Sequence, residues 1–348
     1  IQQIVSLAKF KESSKMSKTD GRKTSTIRGI PKLEDANKAG TKEAHKCSLY
    51  LAEGDSAASM ILSGLSSKDR NYYGIFPLKG KVLNVREAST QQIMKNEEIS
   101  NLKKILGLRN DYTYASNEEF NTLRYGKIIA LVDQDVDGSH IKGLIMNLFH
   151  TMWPELLKRK GFITSMNTPI VKVSKGKVIE SFYNMSDYER WKEDNNNGKG
   201  WNIKYYKGLG TSSSKEAKEY FKNIDTSIID YLWDDSEKDD ITDTETNSKK
   251  STKSNKSTKS NKSTKSSKSS KSSKNKINVK TPKTYTKSDE AIELAFSKDL
   301  ADKRKEWLIN YDKNDVLDYT TNSVSIPSFI NRDLKHFSNE DTRRSIPS

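Results

Sequence analysis

The 348-residue sequence contains one cysteine, Cys47, so the chain cannot form an internal disulfide bond. A lone cysteine suits a reducing compartment, where disulfides are rare, and we expect Cys47 to be a core residue. The sequence also lacks any run of 18 or more apolar residues, which argues against a membrane-spanning helix. Its first residues show no basic segment followed by an apolar one, so no secretory signal peptide is indicated. We therefore expect no membrane partner.

Positive charge is concentrated in one low-complexity stretch. Residues 247–276 consist only of Lys, Ser, Thr and Asn, and contain 11 lysines and no acidic residue. Without these lysines, the formal net charge of +15 falls to +4. Two interpretations of the stretch remain open: it holds DNA electrostatically or serves as a nuclear address, or it is a neutral expansion. Because the rest of the chain is only mildly basic, nucleic-acid binding has to be argued from local groups of residues.

Composition divides the chain into four segments. Residues 1–45 are basic and polar, and we predict a linker that becomes ordered near Lys32. Residues 46–232 predict one α/β domain. Residues 233–284, first acidic and then rich in Lys and Ser, have too few apolar residues for a core and are predicted to be disordered. Residues 285–348 predict a helical connector.

Three carboxylates follow an apolar run that predicts a buried strand of a parallel sheet. The run is 128–132, and Asp133, Asp135 and Asp137 occupy alternate positions after it. Alternate residues of an extended chain share a face, so these carboxylates converge if the backbone stays extended. Three anions held so close repel one another unless a cation lies among them, and hard oxygen ligands favour Mg²⁺. The alternative is a solvated loop or a Ca²⁺-binding loop.

A second acidic motif follows another predicted strand, at 48–52. Glu53 and Asp55 flank Gly54, and Ser56 is the predicted N-cap of a helix over 57–65. The carboxyl ends of parallel strands are where open α/β sheets bind ligands. Two strands that end in acids therefore predict a metal site at one edge of a sheet.

Hydrophobic spacing and turn residues predict the remaining elements. They are a helix over 141–156 ended by Gly161, strands 168–173 and 178–183 joined by a turn at 175–177, a helix over 186–192, a strand over 201–206, a helix capped by Ser212 that runs to 221, and a helix over 289–310.

Together, the two acidic motifs resemble the TOPRIM domain, the metal-binding module of topoisomerases and primases. Residues 77–88, PLKGKVLNVREA, are similar to the block between the acidic motifs of type IIA DNA topoisomerases. Residues 205–211, YYKGLGT, resemble the lysine–glycine–leucine–glycine motif of that family. Residues 214–221, 295–297 and 304–308 are similar to the eukaryotic branch rather than to bacterial gyrase. The resemblance covers the chain apart from the Lys/Ser-rich insertion.

The resemblance implies a TOPRIM Rossmann-like parallel sheet flanked by helices, interrupted by the disordered Lys/Ser-rich insertion. It implies the start of a winged-helix region at 343–348. It also implies that the chain is an internal part of a longer enzyme, whose ATPase module precedes residues 1–45. The nucleophilic tyrosine would follow in the winged helix. One departure is Val136, which is often Gln in the eukaryotic branch and need not contact a metal.

In our assignment, Glu53, Asp133 and Asp135 are the catalytic residues and surround one Mg²⁺. Asp135 and Asp137 would hold a second, weaker ion. Two alternatives stay open: whether one or two ions bind, and whether Glu53 is a ligand or a general acid or base on the ribose oxygen.

Six residues are candidates for DNA contacts: Lys79, Lys81, Asn84, Arg86, His140 and Lys207. The cationic members lie in glycine-containing segments, where backbone and ammonium groups can approach phosphates. A lone Lys-Gly turn is ordinarily only a turn, so Lys207 is proposed on the strength of the resemblance. The alternative for His140 is a helix-cap residue satisfied locally.

The leading hypothesis is an ATP-dependent type II DNA topoisomerase that cleaves, passes and religates double-stranded DNA as a homodimer. ATP would be used by the N-terminal module. A nuclear location follows, or a cytoplasmic viral factory if the source is viral. Two alternatives are a stand-alone TOPRIM nuclease or primase-like protein, which needs no tyrosine, and a non-catalytic DNA-binding relic. The intact acids argue against the relic.

Overall fold

The computed structural model describes residues 14–206, 208–222, 224–236, 285–312, 315, 317 and 321–335. Two predictions fall outside these residues, the DNA contact of Lys207 and the start of a winged helix at 343–348. The disorder predicted over 233–284 also lies outside them, except at 233–236, where the N–H of Asp234 donates to Oγ of Ser288 at 2.8 Å. In the described part of the chain, no helix is long and apolar enough to cross a membrane.

The described strands, in chain order, are β1 (Ser48–Glu53), β2 (Tyr73–Leu78), β3 (Lys127–Leu131), β4 (Ile163–Met166), β5 (Val171–Lys175), β6 (Val178–Phe182), β7 (Asn202–Tyr205), β8 (Ile228–Leu232) and β9 (Ser323–Ser325). The helices are α1 (Gly54–Gly64), α2 (Thr90–Lys95), α3 (Glu97–Leu106), α4 (Asn117–Phe120), α5 (Val136–Met152), α6 (Pro154–Lys158), α7 (Met185–Asp194), α8 (Ser214–Lys222), α9 (Ile224–Ser227), α10 (Lys287–Phe296), α11 (Ala301–Ile309) and α12 (Ile326–Phe329), followed by a π-helical turn at Ile330–Leu334.

Six strands form the main sheet, in the order β2-β1-β3-β4-β8-β9. The pairs among β2, β1, β3 and β4 are parallel, which confirms the predicted parallel sheet. β8 runs antiparallel to β4, and β9 runs parallel to β8. β5, β6 and β7 form a separate antiparallel sheet in which β5 is central. The predicted turn at 175–177 is confirmed, because β5 and β6 pair as a hairpin.

Helices cover both faces of the main sheet because its central strands are apolar on both sides. Leu49 and Leu51 of β1 pack with α3, α5 and α10, whereas Tyr50 and Ala52 pack with α1 and α8. These alternating side chains are fully buried. A strand buried on both faces reads as a continuous apolar run, which is the pattern that predicted β1 and β3. Cys47, also predicted as a core residue, is buried at the start of β1.

Some predicted helix boundaries are wrong. The helix that follows β3 ends at Met152, because Pro154 begins the next helix and the residue before a proline disfavours helical backbone; Gly161 lies beyond both helices. The predicted helix over 289–310 is two helices, α10 and α11, separated by a short 3₁₀ turn. The N-cap of α1 is Glu53 rather than Ser56.

The segment predicted as a linker is ordered well before Lys32. Asp20 pairs with the buried Lys103 of α3 at 2.8 Å, and Glu34 forms a β-bridge with Ile75 of β2. Further along, Ala36 and Ala39 are buried in the core. Residues 20–39 therefore form a strap that packs against the α/β domain.

Arg124 is the residue that anchors the strap most firmly. Its side chain is fully buried and pairs with Asp35, and its guanidinium also donates to the carbonyl oxygens of Thr24 and Ile105, at 2.6 and 2.8 Å. Tyr125 donates a further hydrogen bond to Asp35. Each nitrogen of this buried guanidinium has an acceptor. Its removal would leave Asp35, among the described residues, with only Tyr125 as a side-chain donor and would take a donor from two carbonyl groups.

We expect Arg124→Met to lower the free energy of unfolding by about 3–5 kcal/mol, because it removes the cation that compensates the Asp35 carboxylate. Urea denaturation of the chain measures this. The matched control is Arg109→Met, which removes the solvent-exposed pair with Asp111 and should cost about 1 kcal/mol or less. Equal losses in the two variants would show that the strap is not anchored by Arg124.

Candidate metal centre and nucleic-acid interface

The two acidic motifs lie at one edge of the main sheet, as predicted. β1 and β3 are neighbours in parallel register, with Ala52 opposite Leu131, so their carboxyl ends meet. The backbone N–H of Asp133 donates to Oε2 of Glu53 at 3.0 Å. This hydrogen bond joins residues 80 positions apart and holds the Glu53 carboxylate against the start of the acidic triplet.

A turn from the far end of the domain covers Asp133. The backbone N–H of Leu209 donates to Oδ1 of Asp133 at 2.8 Å. Gly208 leaves the Asp133 carboxylate in place, because a Cβ at position 208 would lie 2.6 Å from Oδ2 of Asp133 and the carboxylate would have to shift. The segment singled out as YYKGLGT therefore lies on one of the proposed metal ligands.

The triplet does not stay extended, so the condition for the convergence of all three carboxylates is not met. Helix α5 begins at Val136, and Asp135 is its N-cap, accepting a hydrogen bond from the N–H of Gly138 at 2.8 Å. Gly138 permits the tight start, since a Cβ there would lie 2.0 Å from the carbonyl oxygen of Asp133. Asp137 lies in the first helical turn and pairs with Lys81 at 3.0 Å. The helix N-terminus and this lysine provide positive charge to the acids.

Burial and mutual repulsion disfavour the charged forms of the two inner acids. Burial raises the pKa of Glu53, and the charges of Asp133, Asp135 and Asp137 raise it further, while the hydrogen bond from the Asp133 N–H opposes them. Burial also raises the pKa of Asp133, opposed by the Leu209 N–H and supported by the charge of Asp135. A divalent cation between these groups would relieve both effects.

Across the described ranges, no group of three or more His, Cys, Asp or Glu side chains is arranged so that it could hold a metal ion. The two inner acids are brought together, whereas one oxygen of Asp135 caps α5 and one of Asp137 pairs with Lys81. The donor set fits Mg²⁺ by chemistry, because it consists of carboxylates at a half-buried acidic edge.

Two family models match the chain. The model of the Toprim domain matches residues 48–168, and that of the C-terminal associated domain of TOPRIM matches residues 166–281 and 257–342. The DNA topoisomerase 2 of Acanthamoeba polyphaga mimivirus is 45% identical over 99% of this chain and 27% of its own length. That of Bombyx mori is 43% identical over 100% of this chain and 20% of its own length.

The chain belongs to the type II DNA topoisomerase family. The crystal structure of the Plasmodium falciparum topoisomerase II DNA-binding, cleavage and re-ligation domain is similar to it, with a TM-score of 0.74 and 41% sequence identity. That likeness covers 93% of this chain and 37% of the other. The chain thus spans about a fifth to a quarter of the length of the two curated relatives above. These findings confirm the family and the Toprim fold inferred from the motifs.

Lys79 and Lys81 lie on the loop that follows β2, beside the acidic edge of the main sheet. The side chain of Lys79 is 76% exposed and pairs with Glu97 at 3.1 Å. Lys81 is 45% exposed and faces Asp137. Exposed ion pairs of this kind are weak and can exchange for a phosphate partner. The predicted DNA contacts of both lysines stay predictions that this placement favours.

Arg86 and Asn84, also predicted to contact DNA, point into the domain. The guanidinium of Arg86 donates to Asn147, to Nδ1 of His150 and to Glu293, and its side chain is only 17% exposed. The amide of Asn84 donates to the carbonyl oxygen of Phe296 at 3.1 Å. These bonds tie the loop after β2 to α5 and α10, so the structure gives both residues an internal role.

Two histidines of α5 have different surroundings. His140 lies inside the helix and stacks on Phe296, so the alternative of a helix-cap residue is wrong; its DNA contact stays a prediction. His150 accepts from Arg86 at Nδ1, since a guanidinium only donates, and therefore carries its proton on Nε2, which donates to Asp289 at 2.9 Å. Sequence reasoning missed His150 because Asp289 lies 139 residues away.

A further missed residue is Glu216, for which a sequence signal existed. Ser213 and Glu216 form the pattern Ser-x-x-Glu that marks a capping box, whereas Ser212 was predicted as the cap. In the structure, the N–H and Oγ of Ser213 donate to Glu216 at 2.8 Å, and the N–H of Glu216 donates back to Oγ of Ser213 at 3.3 Å. The predicted helix is therefore confirmed with its cap one residue later.

We expect Glu53→Gln to stabilise the metal-free chain at pH 7–8, on the order of 0.5 kcal/mol, because it keeps an acceptor for Asp133 and removes a disfavoured charge. A raised folded pKa means that stability falls as pH rises above the ordinary value of 4.5, so the gain should vanish below that pH. Urea denaturation across this range measures it. The matched control is Glu98→Gln, a half-buried acid whose pKa burial also raises but which lacks the neighbouring aspartates; a larger gain there would contradict the repulsion argument.

We expect Arg86→Met to lower the free energy of unfolding by about 3 kcal/mol, because three buried or half-buried partners lose their donor. The control is Lys79→Met, which should change stability by about 0.5 kcal/mol or less but weaken duplex binding and its salt dependence. Urea denaturation and a salt titration of DNA affinity measure the two effects. If Arg86→Met left stability unchanged and weakened DNA binding, the internal role of Arg86 would be contradicted and the predicted phosphate contact supported.

Proposed function

We propose that this chain is the Mg²⁺-binding TOPRIM part of an ATP-dependent type II DNA topoisomerase, which cleaves, passes and religates double-stranded DNA. The observation that carries the proposal is the hydrogen bond between Asp133 and Glu53, which joins the two acidic motifs at one sheet edge. The backbone N–H of Leu209 donates to Asp133 of this pair. Membership of the family supports this reaction class, and we propose the acidic edge of the main sheet as the metal site.

Three residues would hold one Mg²⁺: Glu53, Asp133 and Asp135, with Asp137 available to a second ion. The bound ion would stabilise charge on the phosphate and on the leaving 3′ oxygen. Glu53 and Asp133 already share a half-buried position, and their raised pKa values favour neutralisation by a cation. Asp135 would contribute while it caps α5, because a carboxylate has two oxygens that can each accept.

The DNA would lie across the acidic edge, where Lys79 and Lys81 are exposed. Lys207 would add a phosphate contact from the turn, and His140 one from α5. Arg86 and Asn84 would act indirectly, by holding the loop that carries the two lysines against α5 and α10. The phosphate contacts would position the duplex without reading its sequence.

The relatives also support the wider setting. We propose a homodimer in which each copy contributes one acidic site, with ATP used by a separate N-terminal module and the nucleophilic tyrosine supplied by a winged helix. A nuclear location or a viral factory follows, since the similar proteins come from eukaryotes and a giant virus. The organisation into a linker over 1–45, a TOPRIM domain over 46–232, an insertion over 233–284 and a connector over 285–348 remains our proposal.

We expect Asp135→Asn to weaken Mg²⁺ binding by about tenfold or more while the free energy of unfolding changes by about 0.5 kcal/mol or less. Asparagine is as good an N-cap as aspartate, so this change separates the metal role from the capping role. Calorimetric titration of the chain with Mg²⁺ measures the first effect, and urea denaturation the second. The whole topoisomerase with this substitution should lose Mg²⁺-dependent cleavage and retain duplex binding.

The matched control is Asp302→Asn, which lies in the first turn of α11 and is almost fully exposed, so it should bind Mg²⁺ as the unaltered chain does. Normal DNA relaxation by the Asp135→Asn enzyme would refute the metal role of Asp135. Cleavage of DNA by the chain alone, without a covalent protein–DNA product, would favour a TOPRIM nuclease instead.

A further inference from the structure

The turn over residues 208–212 touches both acidic motifs. Leu209 donates its N–H to Asp133 and buries its side chain beneath the sheet, with 4% exposed. On the other side, a Cβ at Gly210 would lie 3.4 Å from Cβ of Ser56, three residues after Glu53. The turn therefore lies between the ends of β1 and β3, and its position determines where the Asp133 carboxylate can point.

Glu216 fastens the two ends of this turn to each other. Its carboxylate accepts hydrogen bonds from Lys204 at 2.7 and 2.8 Å and from the hydroxyl of Tyr206, which precede the turn. It also accepts from the N–H and Oγ of Ser213, which follows the turn. The side chain of Glu216 is 18% exposed. Burial alone would raise its pKa, but hydrogen bonds from Lys204, Tyr206 and Ser213 lower it to about 2.

We propose that Glu216 is a positioning residue for the metal centre, acting through the turn on Asp133. It draws β7 and the start of α8 together, which sets the backbone between them and aims the Leu209 N–H at Oδ1 of Asp133. The inference rests on the proposed Mg²⁺ site, because a fixed Asp133 matters most when it is a ligand. Partners that orient a metal ligand typically change metal affinity by about tenfold or more when removed.

Glu216→Gln tests the proposal, because it keeps the size of the side chain and loses charge and acceptor capacity. We expect the dissociation constant of Mg²⁺, measured calorimetrically with the 348-residue chain, to rise about tenfold. In the metal-free chain, hydrogen exchange of the Leu209 amide should accelerate by about tenfold, while amides of β1 and β3 keep their rates. The second readout separates positioning from a general loss of stability.

The matched control is Glu219→Gln on the same helix. The side chain of Glu219 is 65% exposed, and its distance to Nζ of Lys172 is 3.9 Å, which is long for an ion pair. The same change of charge at this position should therefore leave Mg²⁺ affinity and the exchange of the Leu209 amide unaltered. If Glu216→Gln does not fold, Gly208→Ala replaces it, since its methyl group would press on the Asp133 carboxylate, with Gly210→Ala as the tolerated counterpart.

Each outcome decides. Weaker Mg²⁺ binding by Glu216→Gln together with faster exchange of the Leu209 amide supports the positioning role. Unchanged Mg²⁺ affinity in Glu216→Gln overturns it, and so does equal weakening in Glu219→Gln. If the unaltered chain binds no Mg²⁺, the proposed metal function fails. The exchange rate of the Leu209 amide in Glu216→Gln then tests whether Glu216 orders the turn. An unchanged rate overturns that claim as well.

Discussion

Electrostatic repulsion at the carboxyl edge of the main sheet is the constraint on which the rest of this architecture depends. Parallel pairing of β1 and β3 forces Glu53 and Asp133 together, and both are withdrawn from water. Like charges in such a place are unfavourable unless donors surround them. The fold supplies backbone donors from Asp133 and Leu209 and the positive end of α5. These donors make the acidic edge tolerable to the folded chain, and the remaining repulsion is what the proposed cation would relieve.

This constraint explains why α5 begins where it does. An extended Asp-x-Asp-x-Asp run would place three carboxylates on one face, whereas a helix that starts at Val136 separates them. Asp135 then serves as the N-cap and Asp137 enters the first turn, where acidic side chains are favourable. Gly138 makes the transition possible, because the helix passes so close to the Asp133 carbonyl oxygen that no Cβ fits. Capping thus takes precedence over alternation at this site.

Local signals in the sequence were sufficient for much of the fold. Apolar runs identified β1 and β3, the Lys175–Lys177 turn identified a hairpin, and the acids after each strand identified the edge of the sheet. Sequence reasoning did less well where two local rules competed, as at Ser212 and Ser213, since both serines are acceptable caps. The Ser-x-x-Glu pattern favours Ser213, and its reciprocal bonds with Glu216 show that it is the cap.

The parts that sequence reasoning missed depend on partners far apart in the chain. Arg86 is a cationic residue in a glycine-containing segment, as a phosphate-binding residue would be. Its guanidinium nevertheless donates to Glu293, which lies 207 residues away. Likewise, the strap has the composition of a polar linker. The sequence does not show that two of its acids pair with the buried cations Lys103 and Arg124. When the partner of a charged side chain is unknown, sequence reasoning assigns that side chain to solvent or to a ligand.

The same distinction separates cations that are paired inside the protein from cations that are exposed to solvent. Arg124, Lys103 and Arg86 are withdrawn from solvent and each joins a distant segment to the α/β core, so their charges are already compensated within the protein. The lysines at 79 and 81 are exposed, with carboxylate partners that are themselves exposed. Because a phosphate can replace a solvated partner far more readily than a buried one, burial rather than residue type decides which cations could exchange their partner for the proposed DNA. The loop after β2 contains both kinds within eight residues, and its inward arginine is what holds the outward lysines beside the acids.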